Sequence, residues 1–120
     1  MPKYVLIAGG ADLDKRGGNP AFGRVLTERF MGWIEAIEKQ GKLIGSIKLA
    51  DHTGSRLTIR GGEVIDGPFV EAKEAIGGVF VVDAQSLDEA EAIARSCPTL
   101  ALQNGYMEVR VVERMRPGVA

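Results

Sequence analysis

The sequence predicts an α+β domain in which two helices lie on one face of an antiparallel sheet, and three observations carry that expectation. Short apolar runs alternate with two amphipathic stretches in the order strand, helix, strand with hairpin, strand, helix, strand. Both helical stretches have start and stop signals at their ends. Two of the strands are apolar on consecutive residues, so both of their faces want burial. The order is the split βαββαβ, or ferredoxin-like, arrangement with an inserted hairpin.

The elements follow in turn. Tyr4 to Ala8 is a β-branched and apolar run that stops at Gly9-Gly10, as a buried strand does. The polar, glycine-rich segment after it lacks both G-x-G-x-x-G and the P-loop spacing, and reads as a plain loop. Asn19-Pro20 starts a helix with an Asn cap and a proline whose missing N–H costs nothing there. Phe22, Leu26, Phe30, Trp33, Ile34 and Ile37 recur at helical spacing, and Gly41 ends the helix as a left-handed cap. Leu43 to Ile47 is the second strand. Arg56 to Arg60 alternates with period two, Gly61-Gly62 is a two-residue turn, and Glu63 to Ile65 returns, which makes a hairpin. After the segment Asp66 to Gly78, Val79 to Val82 is an apolar strand. Ser86-Leu87-Asp88-Glu89 opens the second helix with a capping box, Leu87, Ala90, Ile93, Ala94 and Cys97 form its inner face, and Pro98 stops it. Tyr106 to Glu113 is the last strand, so residues 1–120 read as a single domain with a core to residue 114 and a tail over 115–120.

Composition narrows the class. Fifteen basic and sixteen acidic side chains give no cationic field for a phosphate backbone, which argues against direct nucleic-acid binding. One cysteine excludes an internal disulfide, and Cys97 at a helix end reads as a buried structural thiol. No apolar run approaches the roughly 18 residues of a membrane span, and Met1 leads directly into a strand, so the expectation is a soluble, cytoplasmic protein without a membrane partner. Helices on one sheet face leave the other bare, yet Val5 to Ile7 and Val79 to Val82 are apolar on both sides. A symmetric second protomer is the expected cover, giving a homodimer.

Asp66-Gly67-Pro68-Phe69, then Glu71, Lys73-Glu74 and Gly77-Gly78, followed by an apolar strand, the Ser86 helix start, the Cys97-Pro98 helix end and the strand at Glu108 to Val111, resemble the YCII-related proteins of the DGPF type over essentially the whole chain. The resemblance implies a ferredoxin-like fold that assembles as a dimeric α/β barrel. It does not bring a reaction with it, since most such proteins are uncharacterised and some are described as accessory to extracytoplasmic-function sigma factors. The wider group has been proposed to hold a His-Asp dyad whose histidine lies on the first helix. This chain has Phe30, Met31 and Trp33 there and no histidine, so a dyad of that kind is absent.

Other polar residues are the candidates. His52 is the single histidine and the group best suited to acid–base work near neutral pH. Asp66 is either a turn aspartate that accepts backbone N–H bonds while Pro68 fixes the chain direction, or a base facing a cleft. These two are the candidate catalytic residues. Trp33, Phe69, Glu71 and Lys73 are the candidate ligand-binding residues, with Trp33 at core spacing and Glu71 and Lys73 on a loop able to lip a pocket. Asp51 and His52 are adjacent and unsupported by a second cluster, so no metal site and no cofactor are expected. The leading function is binding or conversion of a small organic molecule in a cofactor-independent pocket. Its alternative is a non-catalytic accessory module in sigma-factor-linked transcriptional regulation.

Overall fold

The computed structural model describes residues 1–10, 20–50, 54–67 and 76–116, with the side chains of residues 20–22 outside that description. Among the described residues six strands and two helices follow in the order β1 (Lys3–Gly9), α1 (Pro20–Lys39), β2 (Leu43–Lys48), β3 (Leu57–Arg60), β4 (Glu63–Asp66), β5 (Ile76–Asp83), α2 (Leu87–Arg95) and β6 (Tyr106–Val111), with a short 3-10 turn at Pro98–Ala101. Four strands form one sheet in the order β2-β5-β1-β6, and every neighbouring pair is antiparallel. This is the ferredoxin-like topology. β3 and β4 make a separate two-stranded sheet, the inserted hairpin.

Alternation along β1 and β5 sorts their side chains between two faces. Tyr4, Leu6 and Ala8 of β1 and Phe80 and Val82 of β5 point toward the helices and are buried. Leu6 and Val82 are fully enclosed, each contributing about 1.5–3 kcal/mol by leaving water. Trp33 and Ile37 of α1 and Ala90 and Ala94 of α2 complete this core, with Phe30 and Ile34 packed at its edge. The helical stripe read from the sequence is therefore the core face of α1. Phe22 belongs to the side chains left undescribed.

The helix ends follow local chemistry. Gly41 ends α1 at φ 71°, with its N–H donating to the Glu38 carbonyl at 2.9 Å. At the start of α2 the Glu89 N–H donates to Ser86 Oγ at 3.2 Å, while the Glu89 carboxylate accepts from the Gln85 N–H at 3.4 Å, one residue before the usual position. Lys42 also reaches that carboxylate, Nζ to Oε1 at 2.7 Å, and ties the β2 end of the sheet to α2.

Three sequence expectations are corrected. Leu87 is 43% exposed rather than part of the inner face, because it is the first residue of α2 and precedes the turn that meets the sheet. β5 begins at Ile76 rather than at Val79, so Gly77 and Gly78 lie within the strand. The last strand ends at Val111, two residues short of Glu113.

Candidate functional site

The open face of the sheet carries the side chains that β1 and β5 turn away from the helices. Val5 pairs with Val81 and Ile7 with Val79 across β1 and β5, and Ile47 of β2 pairs with Val79 on the other side. The four residues of the central pair of strands are half-buried, and Ile47 is exposed. Polar groups rim this apolar centre. Lys3 Nζ meets Asp83 Oδ1 at 3.1 Å across the end of the same strand pair. On β6, Glu108 lies opposite Ile7 and Arg110 opposite Val5. An apolar floor edged by a few charges of both signs can receive an apolar molecule and orient its polar end.

A second feature explains the position of the Asp66 to Gly78 segment. β2 and β5 run as one antiparallel ribbon up to the bond from the Leu49 N–H to the Gly77 carbonyl, 2.9 Å. The ribbon resumes at the base of the hairpin, where the Gly67 N–H donates to the Arg56 carbonyl at 2.6 Å. The chain between Leu49 and Arg56 and the chain between Gly67 and Gly77 thus join the same two hydrogen-bonded anchors. Gly67 holds φ 94°, a conformation that disfavours any side chain, and this is why glycine follows Asp66. The tip of the hairpin has the same logic: Gly61 and Gly62 at φ 61° and 83° form the two-residue turn with both central dihedrals positive.

Asp66 is the last residue of β4, exposed, and paired in register with Leu57. Among the described residues its carboxylate has no hydrogen-bond or ion-pair partner, so the bonds expected of a turn aspartate are not made to them. Trp33 lies in the core, 7% exposed. Its indole N–H is shared between the Ile93 carbonyl at 3.1 Å and Ser96 Oγ at 3.0 Å, and its ring meets Phe80 edge-on at 4.8 Å between centroids. Trp33 and Asp66 therefore belong to different layers, and the structure does not bring them together. His52, Phe69, Glu71 and Lys73 lie outside the described residues. Cys97 is buried, and burial pushes its thiol above the ordinary range while the bond to Thr99 opposes the shift, as befits a structural cysteine. Among the described residues no group of three His, Cys, Asp or Glu side chains is placed to hold a metal ion.

The rim charges Lys3, Asp83, Glu108 and Arg110 were not among the sequence-derived candidates. The signal for two of them is the alternation of Met107 and Val109 with Glu108 and Arg110, which assigns the charged pair to the face opposite the helices. Among the described residues no helix is long and apolar enough to cross a membrane.

A family model described as the YCII-related domain matches residues 23–116. An uncharacterized protein of Rhizobium meliloti (strain 1021) is 36% identical over 99 residues, which cover 76% of this chain and 79% of that protein.

Proposed function

Because the chain belongs to the YCII-related domain family, we propose that it binds, and is equipped to convert, a small organic molecule in a cofactor-independent pocket of a homodimer built through the open sheet faces. The observation that supports this reading most directly is the open face itself, with Val5, Ile7, Val79 and Val81 at its centre and Lys3, Asp83, Glu108 and Arg110 at its rim. Such a surface exposed on a small monomer loses about 25 cal/mol for each Å² of apolar area left in water, which a second copy recovers. A pocket between two such faces is apolar on its walls and offers few polar groups, the usual chemistry of a small-molecule site.

In this reading Asp66 and His52 are the acid–base candidates, and Glu71 and Lys73 orient a polar substituent. Their support is residue chemistry: a histidine and carboxylates that can move protons, and a lysine that can meet a polar substituent. A thermal-shift screen of aromatic and carbonyl compounds, followed by titration of the His52→Ala and Asp66→Ala proteins, tests it. Loss of a ligand hydrogen bond should weaken affinity by about 1–3 kcal/mol. Equal binding by both variants, or no ligand at all, would remove the enzyme reading.

The non-catalytic accessory module keeps one specific observation in its favour. Leu57, Ile59 and Val64 of the hairpin are exposed apolar residues, and surfaces of that kind serve protein contacts.

A further inference from the structure

The turn that leads into β6 selects its residues by shape. The Gly105 N–H donates to the Leu102 carbonyl at 3.0 Å and closes a turn over residues 102–105. Asn104, the third residue of that turn, holds φ 62° and is the one non-glycine residue with positive φ among the described residues. That pattern is a type II turn, whose third position favours a glycine or an asparagine. A Cβ at position 105 would run into the Thr99 carbonyl, so glycine follows. The fold thereby creates an exposed Asn-Gly pair. Without a side chain at residue 105 its backbone nitrogen is unshielded, and the asparagine carboxamide is an electrophile that this nitrogen can reach through a five-membered ring. The chain has one other asparagine, Asn19, and the nitrogen after it belongs to Pro20 and carries no hydrogen.

We infer that Asn104-Gly105 is a site of spontaneous deamidation that the closed turn guards, and that its isoaspartyl product loosens the start of β6. In the reaction the Gly105 nitrogen gives up its proton and attacks Cγ of Asn104. The new C–N bond forms as the Cγ–Nδ2 bond breaks, and ammonia leaves carrying the proton. Water then opens the cyclic imide at one of its two carbonyls, which yields aspartate or isoaspartate. Two features of the turn oppose the first step. The Gly105 N–H is held by the Leu102 carbonyl, and ring closure requires the peptide to rotate about the Asn104 Cα–C bond out of the turn. The reaction therefore runs through molecules in which the turn has opened, a local event far short of unfolding. Isoaspartate carries the main chain through the former side chain and lengthens it by one methylene. Gly105 has no room to absorb that length, since the Thr99 and Leu102 carbonyls lie against its α-carbon. The next residue, Tyr106, begins β6 in register with Gly9 of β1. The displacement thus falls on the end of the strand that carries Glu108 and Arg110, whether or not a ligand or a second copy occupies the open face.

The test incubates the purified full-length chain at mildly alkaline pH, folded and in urea, and follows the tryptic peptide from Ser96 to Arg110 by mass spectrometry. The expected result is a gain of about one mass unit, the exchange of NH2 for OH, placed at Asn104 by fragmentation. It should accumulate at least about tenfold more slowly in the folded chain than in urea, because the open turn is a minor state. Asn104→Gly accepts the same backbone angle and should show no gain. Hydrogen exchange on the aged, folded chain should find the Tyr106 and Met107 amides less protected in molecules that carry isoaspartate. Asn104→Asp has the charge of the product on an ordinary backbone and should keep wild-type protection. Equal rates in the two conditions would overturn the guard, and no gain at Asn104 in urea would overturn the site. Unchanged protection in the isoaspartyl form, or an equal loss in Asn104→Asp, would overturn the effect of the longer backbone on β6.

Discussion

Trp33 and Phe80 meet edge to face, with ring centroids 4.8 Å apart and planes at 87°, and this contact joins α1 to the central strand β5. The same indole reaches α2 through its N–H, shared between the Ile93 carbonyl and Ser96 Oγ, while the Ser96 hydroxyl itself donates to the Ile93 carbonyl at 2.8 Å. One side chain thus couples both helices to the sheet. Trp33→Phe keeps an aromatic ring but deletes the shared donor and leaves a void, and should destabilise the fold by about 2–4 kcal/mol. Ser96→Ala should cost about 1 kcal/mol. Denaturant melts give both values, and a Trp33→Phe midpoint equal to wild type would show that the indole does not hold the layers together.

The Lys42–Glu89 contact predicts a pH dependence. The hydrogen bond from Lys42 holds the Glu89 carboxyl below its ordinary value of 4.5, with the Gln85 N–H adding to the effect and burial opposing it. A carboxyl whose pKa is lower folded than unfolded contributes stability that is present above the unfolded value. That contribution is lost as pH falls through the folded value. Wild type should therefore lose stability from about pH 4.5 downward, and Lys42→Met should flatten that part of the profile by lowering stability at pH 7, with the two proteins converging at low pH. Urea melts at stepped pH measure the slope, and parallel profiles for the two proteins would discount the pair.

Much of this architecture was legible in the chain because period and punctuation agreed. The α1 stripe from Leu26 to Ile37, the Gly41 cap, the Gly61-Gly62 turn and the Ser86 start each rest on local rules, and the structure has all of them. Leu87 was misread because helical spacing alone does not reveal that the first turn overhangs the sheet. The start of β5 was read at Val79, three residues late, because glycine carries little strand propensity, whereas here strand pairing overrides it: Gly78 pairs with Ala8 and Lys48 on its two sides. The site was less legible than the fold. The rim of the open face is assembled from β1, β5 and β6, and residues as distant as Lys3 and Asp83 meet only through strand order, which no local signal encodes.

Two glycines should respond in opposite directions to the same substitution. A methyl group at Gly105 would sit 1.9 Å from the Thr99 carbonyl oxygen, a backbone atom that cannot swing aside. Gly105→Ala must displace the turn that leads into β6 and should cost about 1–3 kcal/mol or more. Gly32 lies in α1 with nothing within 4 Å of an added methyl. Gly32→Ala should stabilise by about 0.5–1 kcal/mol through helix propensity and reduced freedom of the unfolded chain. Thermal melts of the two variants, run together, should bracket wild type, and a stabilised Gly105→Ala would contradict the close approach.

Val79 offers the sharpest test of the open face as an interface. It pairs with Ile7 on one side and Ile47 on the other, at the middle of the apolar patch, and is half-buried in the single chain. A carboxylate there can still reach water on a monomer, so Val79→Asp should fold with a modest loss of stability. Between two packed sheets the same carboxylate is buried without a partner, and an uncompensated charge is far more costly than a neutral polar group. The contrast should appear as a weakening of dimerisation by about 3 kcal/mol or more, over a hundredfold in Kd. Sedimentation at micromolar concentration should then find twice 12.9 kDa for wild type and 12.9 kDa for Val79→Asp. Val79→Thr, with nearly the same shape and a hydroxyl in place of one methyl, should remain largely dimeric. If Val79→Asp sediments with wild type as a dimer, the copies meet elsewhere and the open face is free for another partner.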